Sequence, residues 1–340
     1  MKSVPLQQQT FSELRQSCPA LFDFFAGQQL AVPAGELRLE TYLAQLSTSP
    51  AQAAQIAALN AYVAALQSLQ GDRFRLTALH ISGGRDKNGQ AEALDLQLVP
   101  GEVICLVGPT GSGKSRFLAD IEWMAQGDTP TGRRLLVNGQ SPDPAWRFSP
   151  EHKLVAQLSQ NMNFVMDLSV AEFVRLHAES RLLPDAEQKV AQVIAQANAL
   201  AGEGFSGETA VTALSGGQSR ALMVADTALL SQSPIVLIDE IENAGIDRRR
   251  ALKLLVREEK IVLMATHDPI LALMGSQRLV FRQGGVAQVL QTSRAEQEQL
   301  AALEAYDQRW LNWRNRIRSG ARLEQLDSET DPYSDGFQLL

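Results

Sequence analysis

The stretch GPTGSGKS, made of Gly108, Pro109, Thr110, Gly111, Ser112, Gly113, Lys114 and Ser115, has the residue types that hold phosphate. Its glycines let a backbone curl until successive N–H groups converge on anionic oxygens. A helix starting behind them adds its positive end. Lys114 can reach β- and γ-phosphates, and the Ser115 hydroxyl can ligate Mg²⁺. The stretch fits the pattern GxxxxGK(S/T) and stands between a strand-like run and a helical one, the context that pattern requires. The chemistry it predicts is nucleotide binding. Alone it does not choose among kinases, GTPases and ATPases.

A second set of reactive types lies in VLIDEIENAGIDRRR, Val236 to Arg250. An apolar run ends there in Asp239 and Glu240, with Glu242 and Asp247 following. Such a tip can handle metal and water; read by itself it is equally an apolar strand running into a solvated turn. A third set is Leu214, Ser215, Gly216, Gly217 and Gln218, at the head of the helical run LSGGQSRALMVADTALL. A glycine-bearing helix start exposes N–H groups to an anion, or it is an ordinary cap.

These residues need elements to place them. GEVICLVG is a continuous apolar strand, as a buried parallel sheet requires, and it feeds Gly108. SPIVLIDE and KIVLMATH are two more such strands, separated by a helix from Arg248 to Glu259. RFRLTALHI and EALDLQLV read as strands joined through SGGRDKNGQ, with Asn88 and Gly89 as the turn. RRLLVNG adds a short strand and SQRLVFRQGGVAQVLQ a hairpin. Ser169 to about Ala201 is mostly helical. Residues 1–70 read as helices, with a capping-box pattern at Thr10 and Glu13. From about Ser293 a charged helix carries Tyr306, Trp310 and Trp313, a stripe expected to pack internally. Arg248, Arg249 and Arg250 are expected to face solvent, and the acidic tail DSETDPYSDGFQLL to be poorly ordered.

The bulk numbers bound the answer. The 340 residues, 45% of them apolar, allow one large domain with attachments or two modest ones. A formal charge of −7 does not support a broad basic face, so no nucleic-acid partner is expected. The two cysteines, Cys18 and Cys105, make neither a disulfide framework nor a zinc set, which fits a reducing compartment. Cys105 lies in an apolar run and reads as a buried small hydrophobe. The first residues lack the long apolar core of a signal peptide. No stretch approaches about 18 uninterrupted apolar residues, so any membrane link is expected to come through a partner.

Taken in order, the motifs resemble those of ATP-binding cassette (ABC) ATPases. Leu214 to Gln218 looks like the family's signature sequence, IVLIDE like its Walker B strand, ATHDP like its switch-histidine loop, and QNMNFVMDLSVAEF like its glutamine loop. The resemblance covers roughly residues 72–290. It implies an α/β P-loop NTPase of ABC type, with a parallel core sheet, an antiparallel β subdomain and a helical subdomain (about 161–215), here with an N-terminal all-α extension (1–70) and a C-terminal helix and tail (293–340). It implies an ATP hydrolase using ATP and Mg²⁺. Two cassettes would pack head to tail, this chain with itself or with a related cassette. Asp239 would hold Mg²⁺ through water, Glu240 would polarise the attacking water, and His267 would contact the γ-phosphate. Gln160 would sense metal and water, although Gln157 is a nearby competitor. Ser215 and Gly217 would contact the opposite ATP.

Three departures stand out. The family stacks adenine on an aromatic residue after the first strand; here SGGRDKNG has none, and Arg85 is the candidate to stack instead. Phe74 and His80 lie further back, where a core role is expected. The stretch from Glu240 to Asp247 is one residue longer than the family's usual loop, with Glu242 in the insert, expected to be exposed or at an interface. The long helical N-terminus is unusual for a transporter cassette. The importer-like DLSVAEF segment and the commonness of such subunits among single-cassette chains favour a transporter's energy-coupling subunit working with a membrane permease; the extra N-terminal helices and the Trp-bearing C-terminal helix favour the alternative, a soluble ATPase that remodels or activates a client protein such as a metalloenzyme. Its expected place is cytoplasmic, or peripheral at the inner face of the membrane.

Overall fold

A computed structural model describes residues 6–18, 20–27, 30–33, 35–45, 57–63, 74–148, 153–159, 164–181, 183, 185–239 and 246–322. Gln160, Glu240, Glu242 and the acidic tail from residue 323 lie outside the described residues.

The sheet that carries the site has six strands, in the order β5-β6-β7-β3-β8-β9. They are β3 (Val103–Val107), β5 (Val155–Leu158), β6 (Ile235–Asp239), β7 (Ile261–Ala265), β8 (Gln277–Arg282) and β9 (Gly285–Gln291). All neighbours pair in parallel except β8 and β9, which form the expected hairpin. Successive side chains on a strand point to opposite faces, and here both faces are covered. Ile104, Leu106, Leu237 and Leu263 face one core, and Val103, Cys105, Val236, Ile238 and Met264 face the other. That double burial is why these strands read as unbroken apolar runs. Strand β5 was not anticipated: VAQL is four residues long and carries an exposed Gln157.

Helix α5 (Lys114–Glu122) follows β3 and presents Phe117 and Ile121 to the first core. That core continues into a three-stranded antiparallel sheet, β2-β1-β4, built from β1 (Leu79–Ser82), β2 (Asp95–Leu98) and β4 (Arg134–Val137). The turn expected at Asn88 and Gly89 is present: the Asp86 carboxylate accepts the Asn88 and Gln90 N–H groups, and Gly89 takes φ 78°. Phe74 is not a core residue; it is 38% exposed, with its ring against Trp146.

A buried charge network locks this sheet to α5. Arg133 is fully buried. Its guanidinium donates to Glu92 through Nε (3.2 Å) and Nη2 (2.6 Å), and to Asp120 through Nη1 (2.6 Å). Thr131 Oγ1 donates to the same Asp120 oxygen, and the guanidinium lies 5.0 Å from the Phe117 ring centre. Buried charge is tolerated when paired and hydrogen-bonded in this way. The network fixes the helix behind the glycine-rich loop against the hairpin beside it.

The second core is closed by α8 (Gly216–Leu229) and α9 (Arg248–Arg257). A third packs α6 (Val170–Ser180) and α7 (Ala186–Leu200) against α8. Ahead of β1, helices α1 (Phe11–Ser17), α2 (Ala20–Gly27), α3 (Leu39–Gln45) and α4 (57–63) surround a core of their own, with Phe11, Leu14, Phe25 and Leu59 fully or almost fully buried. The capping box at Thr10 and Glu13 is formed. Both cysteines are buried and free.

Helices α10 (Pro269–Met274) and α11 (Arg294–Arg318) complete the described chain. Two expectations fail on α11. Tyr306 and Trp310 are not packed inside; they are 38% and 60% exposed, on a helix that packs against α10. Nor are the arginines of α9 all free in solvent. Arg248 and Arg249 pair with Asp307 and Glu304 of α11. A helix bearing acids at those positions draws them in, which no local reading of RRR discloses.

One buried charge makes stability depend on pH. Lys260, beside β7, is 7% exposed and donates to the Ser231 and Ser233 carbonyls. Burial lowers its pKa from 10.5 to about 8, with Glu258 acting in the opposite sense. Between those values the unfolded chain holds a proton that the folded chain has released, so stability rises with pH. From pH 8 to 9 the gain is roughly 1 kcal/mol. From about pH 8 upward the Cys105 thiol, pushed from 9.0 to about 12 by burial, opposes it, because the unfolded thiol ionises first, and buried Cys18, also raised by burial, acts in the same sense. Urea unfolding at pH 8 and pH 9 should give the natural chain a change in stability more favourable, by roughly 1 kcal/mol, than that of Lys260→Gln; equal changes in the two proteins would contradict it.

Candidate functional site

The glycine-rich loop connects the C-terminal end of β3 to the first turn of α5. Two of its glycines are dictated by their surroundings. Gly108 has φ 146°, and a Cβ there would stand 2.5 Å from the Phe281 carbonyl oxygen. Gly113 has φ 113°, and a Cβ there would stand 2.6 Å from the Gly284 carbonyl oxygen. Side chains are excluded at both. The β8–β9 turn thus presses on the loop, and Gly284 N–H donates to the Ser112 carbonyl at 2.8 Å.

Lys114 is 7% exposed and folds back over the loop. Its ammonium donates to the Gly108 carbonyl at 2.7 Å and to the Pro109 carbonyl at 3.2 Å. It also lies 3.4 Å from His267 Nε2. His267 therefore reaches the phosphate loop from the end of β7. The two loops border one cleft of about 410 Å³, with Gly108 and Pro109 on one side and Thr266, His267 and Asp268 on the other. Ser115 is exposed at the start of α5. Asp239 ends β6 in register with Ala265, two residues before His267. The acid thus sits at the same, C-terminal end of the parallel sheet as the loop, where such sheets bind ligands.

Asp268 organises the histidine side. One of its carboxylate oxygens accepts the Ile270 and Leu271 N–H groups, capping α10, and its own N–H donates to Thr266 Oγ1. Its second oxygen accepts from Arg248.

The protein atoms fit a magnesium ion only in part. Among the described residues no group of three or more His, Cys, Asp or Glu could hold a metal. Ser115 and Asp239 are hard oxygen donors, and Mg²⁺ bound with few protein ligands takes the rest from phosphate and water. The donor set is the one expected when the nucleotide itself completes the coordination.

Other candidates fall differently. Ser215 caps α8 in a reciprocal box: its side chain accepts Gln218 N–H, and Gln218 Oε1 accepts Ser215 N–H at 2.9 Å. Gln218 is thereby engaged in shaping the turn, leaving Ser215, Gly216 and Gly217 at its face, where Ser215 and Gly216 are exposed. The turn's hydrogen bonds run within itself and to the Glu203 and Gly204 carbonyls. Arg85 is exposed and closes its own hairpin turn, donating to the Gly89 carbonyl. From the same turn it is Lys87 that reaches the phosphate loop, donating to the Gly111 carbonyl at 2.9 Å. The sequence reading missed Lys87; its only local signal is a long cationic side chain next to the turn.

The ABC transporter family model matches residues 91–243. An uncharacterized ABC transporter ATP-binding protein of Methanocaldococcus jannaschii is 50% identical over 248 residues, which are 73% of this chain and 95% of that protein. The thiamine import ATP-binding protein ThiQ of Chelativorans sp. is 32% identical over 206 residues, 58% of this chain and 79% of that one. Among solved structures, CbiO1 of Clostridium perfringens, part of the ABC transporter complex CbiONQ, aligns with a TM-score of 0.52. It does so at 19% identity, over 68% of this chain and 94% of that chain, a likeness of fold.

Proposed function

The chain belongs to the family of ABC transporter ATP-binding proteins, ATP-hydrolysing cassettes, and on that premise we propose that it powers a membrane transporter by hydrolysing ATP at a head-to-tail interface with a second cassette. The observation that carries this reading is the meeting of Lys114 and His267 across one cleft. A triphosphate entering that cleft takes over the hydrogen bonds that Lys114 now makes to Gly108 and Pro109, so the cation stays paired throughout. Backbone N–H groups from Gly111 to Ser115 and the start of α5 hold the β-phosphate. Ser115 and Asp239 hold Mg²⁺, which neutralises phosphate charge when bound. Glu240 orients and polarises the attacking water, Gln160 senses metal and water, and His267 contacts the γ-phosphate.

The exposed turn at Ser215, Gly216 and Gly217 is turned to the same use on the other subunit's ATP. Its hydrogen bonds run within the turn and to the Glu203 and Gly204 carbonyls, with none to the phosphate loop among the described residues, which supports a site completed by a second cassette, either a copy of this chain or a relative. Among the described residues no helix is long and apolar enough to cross a membrane; the pore is proposed to be a separate permease, with this chain cytoplasmic and held at the membrane's inner face. Affinity purification from native membranes and from cytosol tests this. Recovery with an integral membrane protein is the expected result. Recovery from both fractions with soluble proteins alone would replace the transporter reading by that of a soluble remodelling ATPase.

A further inference from the structure

The C-terminal helix α11 packs on α10 and also reaches the histidine loop by an ion-pair relay through Arg248. Three pairs dock the helix: Glu296 with Arg278, Glu304 with Arg249, and Asp307 with Arg248. The third differs from the others. Arg248 Nη2 donates to Asp307 Oδ2 at 2.9 Å, while Nη1 of the same guanidinium donates to Asp268 Oδ2. Asp268 is the residue after His267, and its other oxygen caps α10. The three side chains are substantially shielded, at 21%, 33% and 12% exposure for Arg248, Asp307 and Asp268. Arg248 also begins α9, directly after Asp247, the N-cap of that helix.

A guanidinium is a rigid planar fork. Its two ends cannot move independently, so the position of Asp307 sets the plane presented to Asp268. We propose that Asp307 of α11 is a positioning residue for ATP hydrolysis, acting through Arg248 and Asp268 on His267. The proposal rests on the reading of His267 as the γ-phosphate contact. It gives the C-terminal helix a role in the chemical step without any contact to nucleotide. The helix holds the histidine loop at the distance seen from Lys114; loosened, the loop binds ATP as before but meets the γ-phosphate less often in the reactive geometry.

Steady-state hydrolysis by the full chain tests this. Asp307→Asn should lower kcat roughly tenfold, a coupling of ordinary size for a residue outside the site. KM for ATP should stay within about twofold, since binding energy common to ground and transition states is untouched. Asp307→Glu should restore most of the loss. Arg248→Lys, which keeps the charge but cannot span both carboxylates, should match Asp307→Asn. Glu304→Gln removes a neighbouring docking pair that does not involve Arg248, and should leave kcat near that of the natural chain. An unchanged kcat in Asp307→Asn overturns the proposal. So does an equal loss in Glu304→Gln, which would make the helix a general support. His267→Ala separates the two levels: if it leaves hydrolysis intact, the histidine reading itself is wrong, whereas its loss beside an unaffected Asp307→Asn removes only the present inference.

Discussion

Lys114→Ala should lose ATP binding. In the structure the ammonium is nearly buried and has two carbonyl acceptors and the His267 ring nitrogen around it. The first two are the partners it exchanges for phosphate oxygens. Alanine leaves the loop's N–H groups to face the triphosphate with no full positive charge beside them. Removing one side of a desolvated, hydrogen-bonded charge pair costs about 2–5 kcal/mol. At 1.4 kcal/mol per decade, that is roughly thirtyfold to several-thousandfold in Kd. Calorimetric titration with ATP reads it directly. The fold should survive, because Lys114 bonds to the loop's carbonyls and not into the core. Binding as tight as that of the natural chain would remove the assignment of Gly108–Ser115 as the phosphate loop.

Glu240→Gln should separate binding from hydrolysis. Asp239 is the last residue of β6, at the end of the sheet where the loop and His267 stand, and Glu240 is the next residue in the sequence. An amide keeps the shape of the carboxylate and removes the charge that polarises water. Loss of a general base lowers the rate by about 10²–10⁴, with ATP affinity kept. Phosphate release at saturating ATP is the measurement. Glu242 gives the internal contrast, since it falls in the extra residue of the loop. Glu242→Gln should leave turnover largely intact; a loss equal to that of Glu240→Gln would contradict its assignment as a bystander. Normal turnover in Glu240→Gln would show that the base lies elsewhere.

Much of the site was legible in the sequence because it sits where strands end. Unbroken apolar runs named β3, β6 and β7, and each run delivers a reactive residue at its C-terminal end: Gly108, Asp239 and His267. The glycines of the loop announced a backbone that no side chain could enter, and Gly108 and Gly113 are packed against carbonyls as that requires. What was not legible depends on long-range approach. The sequence offers Arg85 as the residue to stack on the base and does not single out Lys87, two residues on in the same turn. Only the placement of the β8–β9 turn decides that Lys87 meets Gly111 while Arg85 folds back on Gly89. Arg248 and Arg249 read as solvated because their partners, Asp307 and Glu304, are more than fifty residues away. The aromatic stripe on α11 read as internal because apolar residues at helical spacing usually face a core, whereas Tyr306 and Trp310 stand exposed among the described residues. Strand β5 escaped because four residues with one exposed glutamine give too short a pattern.

In the proposed working state ATP is held between two cassettes, by the phosphate loop of one and the Ser215 turn of the other. Light scattering on purified Glu240→Gln tests it most directly, with Mg²⁺ and saturating ATP, and with ADP in its place. ATP should double the mass, ADP should not, and Ser215→Arg in the same background should abolish the doubling. A Glu240→Gln protein that binds ATP tightly, stays monomeric, and gains no mass when mixed with a co-purifying cassette would contradict it.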